Sequence, residues 1–246
     1  MFKESLFIAA AVLAAVAAGP LSSAGKASAK EGVVYANLYK DIDEHGEMLH
    51  VVDYINMLDV YGFNDEVEST CLNGVWVFYE HDDYNADGGT VYWIIGINYC
   101  TTFDVPERNL FSSIKYVGSP NNLNADTLTL YQGTYFTGME FYAFEDVPNL
   151  QSFTNLASSV MVTGSSPWTL YSGEGYTGES VCLYPDTNSI TVNDQKITLG
   201  AHGQLSQYGF DNNVRSFAKG CFSKDIVKAK LAPLGSSSNG AWGKFA

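Results

Sequence analysis

Four imperfect copies of one short pattern run along this chain, and they limit its architecture more than anything else in the sequence. Tyr131 and Tyr171 each open an aromatic-x4-aromatic-x-glycine run, completed by Phe136-Thr137-Gly138 and Tyr176-Thr177-Gly178. Tyr79…Tyr84 repeats it with the glycine delayed to Gly88. Tyr39…Glu44-His45-Gly46 is a weaker copy without the second aromatic. The leading aromatics fall in two pairs: Tyr39 and Tyr79 are 40 residues apart, as are Tyr131 and Tyr171. A polar, serine-bearing segment follows each copy: Asn64-Asp65-Glu66-Val67-Glu68-Ser69, Asn109-Leu110-Phe111-Ser112-Ser113, Asn155-Leu156-Ala157-Ser158-Ser159 and Asp211-Asn212-Asn213-Val214-Arg215-Ser216. A repeated unit too small to bury its own apolar face must pack on its neighbour. Four copies in two pairs therefore predict two domains of two motifs each.

The rest of the pattern is all-β. After Lys30 no long segment has apolar residues at helical spacing. Short β-branched and aromatic segments, such as Val75-Trp76-Val77-Phe78-Tyr79 and Thr127-Leu128-Thr129-Leu130-Tyr131, alternate with Gly, Asn, Asp and Pro, as in a sandwich or barrel. The expected domains are 32–118 and 126–222. Between them, 119–125 carries Pro120 and three asparagines and reads as a linker. Residues 223–246 lose the strand pattern. With Gly235-Ser236-Ser237-Ser238-Asn239-Gly240 at their centre, they read as a flexible tail.

Residues 1–29 have the order of an export signal: Lys3, an apolar run over 6–18, then small residues ending in Ala27-Ser28-Ala29. The apolar run is too short to span a bilayer, and no later segment is long enough, so no transmembrane segment is expected in the mature chain. The net charge of the whole chain is −14. Residues 31–118 hold 16 acids against 3 bases, and residues 126–222 hold 9 against 3. Such a surface repels phosphate backbones, so nucleic acid is not an expected partner. It suits cations. Export makes disulfides expected among the four cysteines. Two lie in each half, so Cys71–Cys100 and Cys182–Cys221 are the expected pairs.

These motifs resemble the βγ-crystallin superfamily, from about Val33 to Cys221 and most strongly over Asn155–Gly164 and Trp168–Gly178. The resemblance implies two Greek-key β-sandwich domains. It implies that the first hairpin of each motif folds over its own sheet, with the second aromatic beneath it and the loop serine (Ser69, Ser113, Ser159, Ser216) bonded under it. It also implies Ca²⁺ sites, because many non-lens members bind calcium through a loop written Asn/Asp-Asn/Asp-x-x-Ser/Thr-Ser. The ligands implied are the second side chain, the third carbonyl and the fifth hydroxyl, with a carbonyl from the partner hairpin. Such hard oxygen donors suit Ca²⁺. Carried onto this sequence, one set is Asn109, Leu110 and Ser112 with Lys40. A second is Asn155, Leu156 and Ser158 with Ser172. A third is Asp65, Glu66 and Glu68 with Glu80, a carboxylate replacing the hydroxyl. Arg215 stands at the fifth position of the fourth loop. A guanidinium offers no lone pair, so that site is expected to be dead.

No histidine lies in a catalytic or zinc motif, and no glycine-rich loop opens a helix. The expected function is therefore that of a secreted, non-enzymatic, calcium-binding structural protein. Two other readings stay open: a proteinase-inhibitor or toxin-like protein working through the long segment 186–208, and a module binding an extracellular protein or a glycan.

Overall fold

The computed structural model describes residues 33–185, 188–229 and 231–245. The expected export signal, 1–29, lies outside them. No described helix is long and apolar enough to cross a membrane.

In the first half, β1 (Tyr35–Tyr39), β2 (Met48–Val51), β3 (Ser69–Tyr79), β4 (Val91–Thr102) and β5 (Ser113–Val117) are joined antiparallel. The order is β2-β1-β3-β4, with β5 also on β3. β3 is long because it serves two motifs. Its 69–73 portion pairs with β1 and its 75–79 portion with β5. The partner changes at Gly74, whose φ is +111° and where a Cβ would press on Val34 at 3.1 Å, so glycine is needed. Alternation along β3 sends Trp76 and Phe78 into the first core. It sends Val75, Val77 and Tyr79 the other way, into a cluster shared with the second half. This is why 75–79 reads as a continuous apolar run: both faces are buried.

The second half repeats the plan. β6 (Thr127–Tyr131), β7 (Glu140–Ala143) and β8 (Ser159–Thr163) form one layer; β9 (Trp168–Gly173), β10 (Thr177–Leu183) and β13 (Ser216–Lys219) form the other. Its core holds Leu128, Leu130, Val160, Trp168, Leu170 and Phe217 among others. The motifs interlock by exchanging strands. β12 (Gln195–His202) leaves its own motif to pair with β8, and Val147 crosses in return to bridge Phe217. Ile55 bridges Ile114 in the same way in the first half. The shared cluster sets Tyr79, Trp93 and Ile95 against Tyr131, Phe136, Met161 and Leu199.

Two expectations are corrected here. The segment 186–208 is not a free working loop. β11 (Asn188–Val192) and β12 form a hairpin at the edge of the sheet. It turns on Asn193 and Asp194, both at positive φ (47° and 67°), as a two-residue hairpin turn requires. The tail is not flexible either. β14 (Ile226–Val227) lies parallel to β10, and β15 (Gly235–Ser236) pairs with β16 (Gly240–Phe245). β16 then pairs with β4 over six residues, from Gly240 opposite Gly96 to Phe245 opposite Val91. Trp242 is buried in the first core, edge-on to Phe103 at 5.5 Å, and Lys244 reaches Glu107 at 3.3 Å. The glycines here serve close approach: a Cβ on Gly96 or on Gly240 would strike the side chain of Tyr99. Both expected disulfides are formed. Cys71–Cys100 joins directly opposed residues of β3 and β4, and Cys182–Cys221 ties β10 to the segment after β13.

Candidate functional site: paired loops under clasped hairpins

Each hairpin is locked by its serine in the same way. The hydroxyls of Ser69, Ser113, Ser159 and Ser216 each donate to a hairpin carbonyl, those of Asp41, His81, Gly133 and Gly173, all at 2.6 Å. Each also accepts a backbone N–H from the position of the second aromatic: Glu44, Tyr84, Phe136 and Tyr176, at 2.9–3.1 Å. Those four residues share a positive φ of 59–69°. The left-handed turn is costly for residues with a Cβ, and the two serine bonds hold it.

The loops meet in pairs beside the clasps. Their second residues, Asp65, Asn109, Asn155 and Asn212, all take positive φ (50–59°), which Asn and Asp tolerate best. The backbone then fixes the neighbours. Asp65 N–H donates to Phe111 O and Asn109 N–H to Val67 O; Asn155 N–H donates to Val214 O and Asn212 N–H to Ala157 O. Each second residue is thus set beside the fifth residue of the partner loop, not of its own. Each fifth residue is in turn held at its own hairpin: Glu68 N–H bonds Tyr39 O, Ser112 N–H bonds Tyr79 O, Ser158 N–H bonds Tyr131 O and Arg215 N–H bonds Tyr171 O.

The sets expected from sequence therefore exchange their fifth members. Asp65 and Glu66 face Ser112 and the Glu80 carbonyl, and the Ser112 hydroxyl donates to that carbonyl at 2.8 Å. Asn109 and Leu110 face Glu68 and the Lys40 segment, with Asn109 Nδ2 3.0 Å from Glu68 Oε1. Asn155 and Leu156, beside Ser172, face Arg215, whose Nε donates to Asn155 Oδ1 at 3.2 Å. Asn212, whose N–H bonds Ala157 O, comes next to the Ser158 position. Sequence reasoning missed Asn212 as its neighbour. Arg215, expected to disable the fourth loop, lies against Asn155 of the third, because only tertiary pairing says which loop the fifth position serves.

Charge gathers at the Asp65 loop. Asp82 Oδ1 is shielded from solvent and has no hydrogen-bond partner among the described residues. Desolvation, then the neighbouring carboxylates of Asp83, Asp59 and Asp65, push the Asp82 carboxyl above its ordinary value. Glu80 is opposite: its Oε2 accepts the Thr90 N–H at 2.8 Å, and this lowers it. At the Asn109 loop, the Arg108 guanidinium stands 4.0 Å from Glu68.

Tandem β-sandwiches, each with two interlocked Greek keys and serine-clasped hairpins, define the structural class. Residues 127–198 match the family model described as Beta/Gamma crystallin, and the two halves together have the βγ-crystallin type of fold. Among solved structures it is similar to geodin, a beta-gamma crystallin from Geodia cydonium. That match has 15% identity and a TM-score of 0.55 and covers 76% of this chain and 99% of geodin. A betagamma-crystallin from an archaeon matches at 26% identity over 39% of this chain and 99% of its own, with a TM-score of 0.31. The solution structure of Protein S complexed with calcium matches at 14% identity over 76% and 99%, with a TM-score of 0.29. No curated protein matches the sequence.

Proposed function

We propose that this chain is an extracellular, non-enzymatic protein that binds Ca²⁺ at the paired loops of its first half and uses the ion to hold its hairpins. The domain bounds belong to the same reading: 32–118 and 126–222, with 240–245 joined to the first. The observation that carries it is the orphaned Asp82 oxygen in the carboxylate cluster beside Asp65, Ser112 and the Glu80 carbonyl. Mutually repelling carboxylates beside a hydroxyl and a carbonyl suit a hard cation. One ion would be held by Asp65, the Glu66 carbonyl, Ser112 and the Glu80 carbonyl. A second would be held by Asn109 turned to present its oxygen, the Leu110 carbonyl, Glu68 and the Lys40 carbonyl. The ion supplies charge neutralisation and a rigid tie between hairpin and loop. In the second half, Arg215 takes the cation's place at Asn155. Two disulfides and the expected export signal support the extracellular setting.

The test is calcium titration calorimetry on chelator-stripped protein, with thermal melts alongside. Saturable binding with a raised melting temperature is expected, and Ser112→Arg and Glu68→Arg should each remove one site. No heat and no shift at millimolar Ca²⁺ would refute the reading.

A further inference from the structure

A groove of about 640 Å³ opens where the hairpin before β4, the turn around Tyr135 and the end of β16 come together. It involves none of the loop residues 64–69 or 108–112. Its volume lies within the range of small-ligand sites, which favour junctions between domains.

Three features make it a built site. First, Tyr92 lines the groove, is only 3% exposed and packs on Phe111 at 5.1 Å, and its hydroxyl donates to no described residue. Burial, with the nearby carboxylates of Glu107 and Glu80, pushes that phenol up to about 12, so at neutral pH it is a donor without a protein acceptor. Second, the Tyr135 ring is held in place. It stacks on Phe245 (centroids 6.4 Å apart, planes 24°), its hydroxyl accepts from Gln204 Nε2 at 2.6 Å, and its backbone sits at φ +53° with its N–H on Gly203 O. Third, the hydroxyl-bearing Thr134 and Thr137, the Glu80 carboxylate and the Lys244 ammonium line the same groove. Lys244 is paired with Glu107.

We infer that this groove binds a neutral sugar of one or two rings. Fixed aromatic faces take the apolar face of a pyranose; a phenol, threonine hydroxyls and carboxylates satisfy its hydroxyls. Glu80 and Glu107 against Lys244 leave an excess of one negative charge, within a half holding 16 acids and 3 bases, which rejects anionic ligands. This goes beyond the calcium reading and does not require it.

The test is saturation-transfer NMR on the whole protein in chelator. Its probes are galactose, mannose and N-acetylglucosamine with their disaccharides, and glucuronic acid and galactose sulfate as anionic counterparts. A neutral sugar should saturate, and Tyr92→Phe, which keeps the buried ring, should weaken it about tenfold, or about 1.4 kcal/mol. Thr134→Ala, at an exposed position, should weaken it likewise without moving the melting temperature, and decides the matter should Tyr92→Phe fail to fold. No saturable neutral sugar, stronger binding of the anionic probes, or native binding by Thr134→Ala would overturn the inference.

Discussion

Replacing Lys115 by methionine should loosen the joint between the two halves more than any surface change. Lys115 lies on β5 with its side chain 1% exposed, and its Nζ is 2.9 Å from Oε2 of Glu140 on β7 of the other half. The rings of Tyr84, Tyr131 and Tyr79 surround the ammonium at 4.6, 4.8 and 5.3 Å. Tyr54 donates to the other Glu140 oxygen at 2.8 Å. Burial lowers the Lys115 pKa, and Glu140 opposes that. Methionine fills the space but leaves the carboxylate inside the tyrosine cage with one phenol for company. Removing one partner of a buried pair costs about 3–5 kcal/mol. For a protein of this size each kcal/mol moves the melting temperature by about 2–4 °C, so a fall of about 6–20 °C is expected. The double variant Lys115→Met/Glu140→Leu removes both charges and should recover most of the loss, leaving about 1–3 kcal/mol for the orphaned Tyr54 hydroxyl. The assay is a double-mutant cycle by thermal and urea unfolding at neutral pH. A single variant that melts within about 2 °C of the native protein, below the cost of breaking a buried pair, would refute the reasoning.

Three other outcomes are expected. Ser159→Ala removes both bonds that clasp the third hairpin and should cost about 1–3 kcal/mol in urea unfolding, whereas the exposed Ser165→Ala should be neutral. Burial raises the phenols of Tyr54, Tyr79, Tyr84 and Tyr131 above their ordinary value of 10. The fold thus keeps protons that the unfolded chain releases, so their contribution is complete below about pH 10 and is lost as pH rises further; tyrosinate absorbance should appear together with loss of the β-sheet signal, not ahead of it. Burial also drops His202 from 6.5 to about 4, so its contribution is complete above its unfolded value and disappears as pH falls toward 4; His202→Leu should flatten that part of the stability profile.

The repeat made the fold readable because it records local geometry. A serine that must bond under a hairpin, and an aromatic at the turn, recur wherever that turn recurs. The disulfide pairs followed from the same division into halves. Which loop's fifth residue serves which site was not readable, because Asp65 meets Ser112 only after the two motifs interlock. Sequence order places Glu68 nearer to Asp65 than Ser112 is. The tail misled for a different reason. Gly235, Gly240 and Gly243 resemble a flexible linker, but in the fold a Cβ at each would collide with Trp242, Tyr99 or Trp93. The same composition describes a free chain and a strand pressed onto aromatic rings.

That strand also sets an order of events. Gly240–Phe245 is synthesised after everything it packs against, yet Trp242 belongs to the core of the first half. A chain made in sequence order must hold its first sandwich with an open edge at β4 until Gly240–Phe245 has been made. The whole second sandwich is made before that edge can close. Closure of the first half then waits on the strand made after the second, so a product cut short before Gly240 would carry an exposed edge at β4, a template for unwanted strand pairing.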